Sequence, residues 1–167
     1  MDARGCMCFT NYSYFQTDRG VVTADRLKVG DKLISDNGKT LTIDRIYKLP
    51  EYKVIRMIRM ENADTTSVHK FKFCYFKPTQ YIKLDDEKVI QAKTLVNMGL
   101  AVYERYQVME FYLISVKPEE NDPENASNYE KFHRFVKCDG FNVSVYTHRH
   151  PLNNRFGKYH MTMSATE

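Results

Sequence analysis

Residues 21–34 read VVTADRLKVGDKLI, and residues 89–102 read VIQAKTLVNMGLAV. Aligned, Val21-Val22 falls on Val89-Ile90, Ala24 on Ala92, Leu27 on Leu95, and Gly30 on Gly99 with one residue inserted. An internal repeat constrains the whole fold, because each copy is a unit that cannot bury its apolar face alone. Both copies carry the same physical instructions. A β-branched pair closes a strand, a short polar turn of helix follows, and a glycine lets the chain reverse into the next apolar strand. Two copies predict a mostly β, compact, pseudo-two-fold domain with few short helices.

The flanking sequence reads as strands and turns. Lys39 to Leu49 alternates at Leu41 and Ile43 after Asp36-Asn37-Gly38, a tight-turn signal. Tyr52 to Met60 is a second strand candidate, with Val54, Ile58 and Met60 on one side and Ile55 and Met57 on the other, and Pro50 divides the two. His69 to Phe76 alternates again. Tyr81 to Leu84 and Lys88 to Gln91 flank Asp85-Asp86-Glu87, which reads as a solvated hairpin turn. Val102 to Val116 is β-prone but broken by charges, and no segment sustains a long helical period. Residues 117–130 (KPEENDPENASNYE) hold two prolines and five acids and predict an acidic exposed loop. Beyond it, Lys131 to Lys137 and Phe141 to Tyr146 predict a strand pair around Asp139-Gly140. The expected organisation is a β domain over 1–116, the loop, and a C-terminal β pair with a basic arm over 131–167.

Composition narrows the function classes. A chain of 167 residues fits one domain with a real core, and 28% charged residues argue against disorder throughout. A net charge of +4 is too small to mark a nucleic-acid binder. The start, MDARGCMCF, has no apolar stretch, and no run approaches a membrane span, so neither a secretory leader nor membrane contact is expected. The four cysteines are then expected to stay reduced, in the cytoplasm or in a particle assembled in a host's cytoplasm.

The repeat and its surroundings resemble the Hint superfamily, the module shared by hedgehog autoprocessing domains and inteins. The resemblance covers residues 6–106. Cys8-Phe9 (or Cys6, two residues earlier) stands where the family's first residue stands. Ala24 to Asp31 looks like its L-x-x-G-D turn, and Phe76-Lys77-Pro78-Thr79-Gln80-Tyr81-Ile82 looks like the strand carrying its Thr-x-x-His. The resemblance implies an N-to-S acyl shift at Cys8 or Cys6, which needs a His to protonate the departing amide nitrogen and a polarising Thr. Here Lys77 stands at the position of the Thr and Gln80 at that of the His, and no His-Asn pair follows. Glutamine cannot shuttle a proton near neutral pH. The resemblance thus implies the scaffold without the activity; an active autoprocessing cysteine module is the alternative.

Other candidate sites stand beside plainer readings. Cys6, Cys8 and Cys138 could supply zinc ligands, but Cys-x-Cys is tighter than the usual paired spacing and no second pair follows. No metal and no cofactor is therefore expected. Thr147-His148-Arg149-His150 is the densest polar run, and reads most simply as an exposed strand end before Pro151. From Gly140 to Thr166 there is no acid, and Arg149, Arg155, Phe156, Lys158 and Tyr159 interleave charge with aromatic rings. Such an arm can bind phosphates and stack bases, or dock on a neighbouring protein. The expectation is a non-enzymatic structural or adaptor subunit of a larger homo- or hetero-oligomeric assembly, a phage or viral particle among the settings, with those five residues as partner contacts. A nucleic-acid-binding arm is the further alternative.

Overall fold

The computed structural model describes residues 7–61, 73–117 and 133–147. Each copy of the repeat folds as its sequence directs. In the first, strand β3 (Gly20–Thr23) runs into a 3₁₀ turn at Ala24–Arg26, and the chain reverses at Gly30 into β4 (Lys32–Ile34). In the second, β8 (Val89–Gln91) runs into helix α1 (Ala92–Asn97), and the chain reverses at Gly99 into β9 (Val102–Val116). Gly30 and Gly99 have φ of 97° and 74°, with open space where a Cβ would sit. Backbone conformation, not crowding, therefore requires glycine there.

The matched apolar residues do matched work. Val22, Ala24 and Leu27 from the first copy, and Ile90, Ala92 and Leu95 from the second, are buried in one cluster. Each copy also follows a hairpin. Strand β2 (Tyr14–Thr17) pairs with β3, and β7 (Tyr81–Lys83) pairs with β8. The Ala24 N–H donates to the Ser13 carbonyl at 2.9 Å, and the Ala92 N–H to the Gln80 carbonyl at 2.7 Å. Ser13 and Gln80 thus hold equivalent places in the pseudo-two-fold. Leu27→Ala and Leu95→Ala are each expected to lower stability by about 3 kcal/mol, since each empties a buried leucine site. Urea unfolding checks this, and unequal losses would count against the two copies being mechanically equivalent.

The remaining strands are β1 (Phe9–Thr10), β5 (Thr40–Glu61), β6 (Phe73–Phe76), β10 (His133–Cys138) and β11 (Phe141–Thr147). Six strands close a ring in the order β9, β5, β4, β2, β10, β11, and β11 returns to β9 by a parallel pairing of Tyr146 with Ser115. The predicted C-terminal pair is therefore part of this ring: it gives Val136, Cys138, Val143 and Val145 to the main core.

Two strand expectations are corrected. Pro50 does not divide Thr40–Glu61, which is one strand of 22 residues paired along β9. The register slips between Pro50 and Lys53, where Tyr52 has a φ of 47°, so a bulge absorbs the proline and pairing resumes. Nor do charges break Val102–Val116, because its half nearer the N-terminus is largely exposed and its charged side chains reach solvent. Past the bulge, β5 serves two cores by alternation: Ile58 and Met60 enter the main cluster, Met57 the smaller one. Val54, expected with Ile58 and Met60, is exposed instead.

Candidate functional site

The start of β1 sets the site that the sequence singles out. Phe9 pairs with Tyr112 on β9, which lodges Cys8 in the smaller core with Met57, Phe111, Leu113 and Tyr146. Cys8 is 1% exposed. The residue before it is held too, because the Met7 N–H donates to the Tyr146 hydroxyl at 3.0 Å.

The loop between β6 and β7 brings the two other expected positions to the same side of the ring. Lys77 is buried, with its Nζ 5.3 Å from the centroid of the Phe111 ring. Gln80 is fully buried, and its Nε2 donates to the Ser144 carbonyl on β11 at 2.9 Å. Its Oε1, like the hydroxyls of Thr79 and Ser144, meets no hydrogen-bond partner among the described residues. The Gln80 side chain is thus an amide tied to the sheet through β11.

The zinc set is not assembled among the described residues. Cys138 lies in the main core and Cys8 in the smaller one, and no three His, Cys, Asp or Glu side chains gather there. Burial pushes the Cys138 thiol well above its ordinary range, and Asp139 and Cys74 push it further. Burial, then Asp139, does the same to Cys74. Both stay protonated at neutral pH, a poor state for nucleophile or ligand. Cys6, His148, Arg149, His150, Arg155, Phe156, Lys158 and Tyr159 lie outside the described residues, as does most of the acidic loop.

Sequence reasoning missed Asp139. It reads as an ordinary turn residue beside Gly140, yet it is 3% exposed. The β10–β11 turn folds back on β2: the Tyr14 N–H donates to Asp139 Oδ1 at 3.1 Å, and the Asp139 N–H to the Tyr14 carbonyl at 2.9 Å. The Cys138 thiol donates to Oδ2 at 3.6 Å. Burial outweighs these bonds and raises the carboxyl to about 7. The only sequence signal was an acid between two strands, set directly between Cys138 and Gly140.

No protein-family profile matches the chain, and no curated protein matches its sequence. Solved structures do. A bacterial intein-like domain from Clostridium thermocellum aligns at 14% identity with a TM-score of 0.50, over 84% of this chain and 98% of that one. The gp41-1 intein aligns at 12% identity with a TM-score of 0.48, over 82% and 96%. The MchDnaB-1 intein aligns at 12% identity with a TM-score of 0.47, over 81% and 98%. Identities this low speak to the fold alone. Together with the repeated strand–turn–glycine unit, the alignment gives this chain a Hint-like fold, the compact β architecture of the intein domains.

Proposed function

We propose that the chain is a non-enzymatic Hint-like scaffold that serves as a protein-contact subunit of a larger assembly. The observation that carries this reading is Gln80. An acyl shift at Cys8 would form a bond from its Sγ to the Met7 carbonyl carbon and break the Met7–Cys8 C–N bond. The departing nitrogen must take up a proton, and a general acid supplies ~10²–10⁴-fold of the rate of such a step. The equivalent position here offers a neutral amide already committed to the Ser144 carbonyl. The contact role draws support from the β5–β9 ribbon, which exposes Tyr52, Val54, Tyr103 and Met109 to solvent. Aromatic residues and methionine are the types enriched in protein interfaces.

Incubation with dithiothreitol and hydroxylamine, followed by mass measurement of the intact chain, tests the first half. The expected result is one unchanged mass; a truncation between Met7 and Cys8 would overturn it. Native mass spectrometry tests the second half, with a defined oligomer expected. A strictly monomeric chain that retains no partner counts against an assembly subunit.

The competing reading is an autoprocessing cysteine module. It draws on Cys8 at the start of β1, on the buried Lys77, and on the Tyr146 hydroxyl at the Met7 amide. It expects Cys8→Ala, or Cys6→Ala if the nucleophile is the earlier cysteine, to abolish cleavage that the unaltered chain performs.

A further inference from the structure

The turn at Asp139 opens onto a cavity of about 290 Å³. Five aromatic residues line it: Tyr12, Tyr14, Phe73, Tyr75 and Tyr106. It adjoins the core that holds Cys8, since Thr10 is two residues along the chain from Cys8 and Tyr75 and Tyr106 pack against that core, but Cys8, Lys77 and Gln80 do not line it. Its position in the fold follows from the repeat. Ser13, which also lines it, holds the place that Gln80 holds in the other copy. There a long amide fills the interior and ties to β11; here a small hydroxyl leaves room.

The wall is held in shape before any ligand arrives. The Arg59 guanidinium stacks on Phe73 at 4.4 Å and pairs with Glu104 at 2.8 Å. The other Glu104 oxygen accepts the Tyr75 hydroxyl at 2.6 Å, and Tyr75 packs on Tyr106 with ring centroids 4.3 Å apart. Arg59 and Glu104 thus satisfy each other outside the cavity. Asp139, at the cavity's other side, has no such partner: its oxygens take a backbone N–H and a thiol, and no cation pairs with it among the described residues. A buried carboxylate without a counter-charge destabilises a fold unless something compensates it. Ring faces carry negative potential and attract cations most strongly where water is excluded. Thr10 and Ser13 add hydroxyl oxygens that can accept N–H bonds.

We infer that this cavity is a binding site for an organic cation, an alkylammonium or guanidinium group, whose charge pairs with Asp139 and whose carbon chain lies among the tyrosine and phenylalanine rings. The cation has two sources: a small free amine, or the tip of a lysine or arginine side chain from a partner polypeptide. The volume sets the size at the small end of ligand pockets. This inference is independent of the reading of Cys8 and Gln80.

The test is titration of the full chain at about pH 8 with n-butylammonium, n-butylguanidinium, acetyl-lysine methylamide, acetyl-arginine methylamide and neutral 1-pentanol, followed by NMR and calorimetry. At least one of the four cations is expected to shift resonances of the cavity residues and to outcompete 1-pentanol. If the capped amino acids bind as well as the free amines, the source is a polypeptide side chain; if only the free amines bind, it is a small molecule. Asp139→Asn keeps the side chain's shape, and asparagine tolerates the positive φ of 53° at this position. It is expected to weaken binding by about tenfold to a hundredfold, as loss of a charged hydrogen bond does. Tyr12 is half exposed at the rim, so Tyr12→Ala leaves the core untouched and is expected to weaken cation binding by about threefold. Pentanol binding equal to the cations, cations that move nothing, or full affinity in a folded Asp139→Asn chain would each overturn the inference.

Discussion

Raising the pH from about 4 to about 8 is expected to lower the stability of this chain by about 4 kcal/mol through Asp139 alone. The sign follows from where the proton sits. Burial raises the folded-state carboxyl from its ordinary value to about 7. Between those values the folded chain keeps a proton that the unfolded chain has released. Each pH unit in that window therefore removes about 1.4 kcal/mol, and the loss is complete above the folded value. The other groups near Asp139 do not share the window. Burial first, with help from nearby acids, holds Cys138 and Cys74 above their usual range, and it pushes Tyr75 up to about 12. Asp31 moves the opposite way, because Arg19 and the Lys28 amide hold its carboxyl below the usual range despite its desolvation. It adds stability that is present above the ordinary carboxylate value and lost in more acid solution. Asp139→Asn removes the neutral-pH penalty but loses the Cys138 thiol bond, which is worth about 1 kcal/mol. The variant is expected to be about 3 kcal/mol more stable than the unaltered chain at about pH 8, and slightly less stable at about pH 4. Urea midpoints at the two pH values check both signs. Equal stability at both would show that the carboxyl is not buried as described.

Phe15→Ala is expected to cost about 4 kcal/mol, the middle of the range for a buried phenylalanine. Phe15 is fully buried and meets the Phe9 ring edge-on at a centroid distance of 4.9 Å. Its backbone lies between two partners, Val22 on β3 and Cys138 on β10. The residue thus joins the first repeat to the C-terminal hairpin. Guanidinium unfolding measures the cost. Hydrogen exchange adds a sharper reading: amides of Val22, Val136 and Val143 are expected to lose protection together. Early exchange confined to Val136 and Val143 would mean that the hairpin is a separate unit docked on the ring.

Much of the fold was legible because its signals are local. The β-branched pairs, the short turns and Gly30 and Gly99 each act within a few residues, and the structure puts matched residues in matched places. The strand pairs around Asp85-Asp86-Glu87 and Asp139-Gly140 were legible for the same reason. Pro50 misled because its missing N–H matters only relative to a partner strand, and a bulge supplied by Tyr52 removes the conflict. At the Cys8 site, the residue types at Lys77 and Gln80 could be read in order, but not that both are buried or that Gln80 is tied to Ser144.

By itself the sequence determined the unit that is built twice and the residue types at the positions the resemblance marks, since backbone propensity and alternation are properties of neighbouring residues. The tertiary structure alone decided that β10 and β11 close the ring, and that the turn between them buries a carboxyl at a cavity also lined by five aromatic residues. Burial, charge and proton affinity depend on what long-range pairing brings near, and Asp139 meets β2 only after more than a hundred residues of intervening chain.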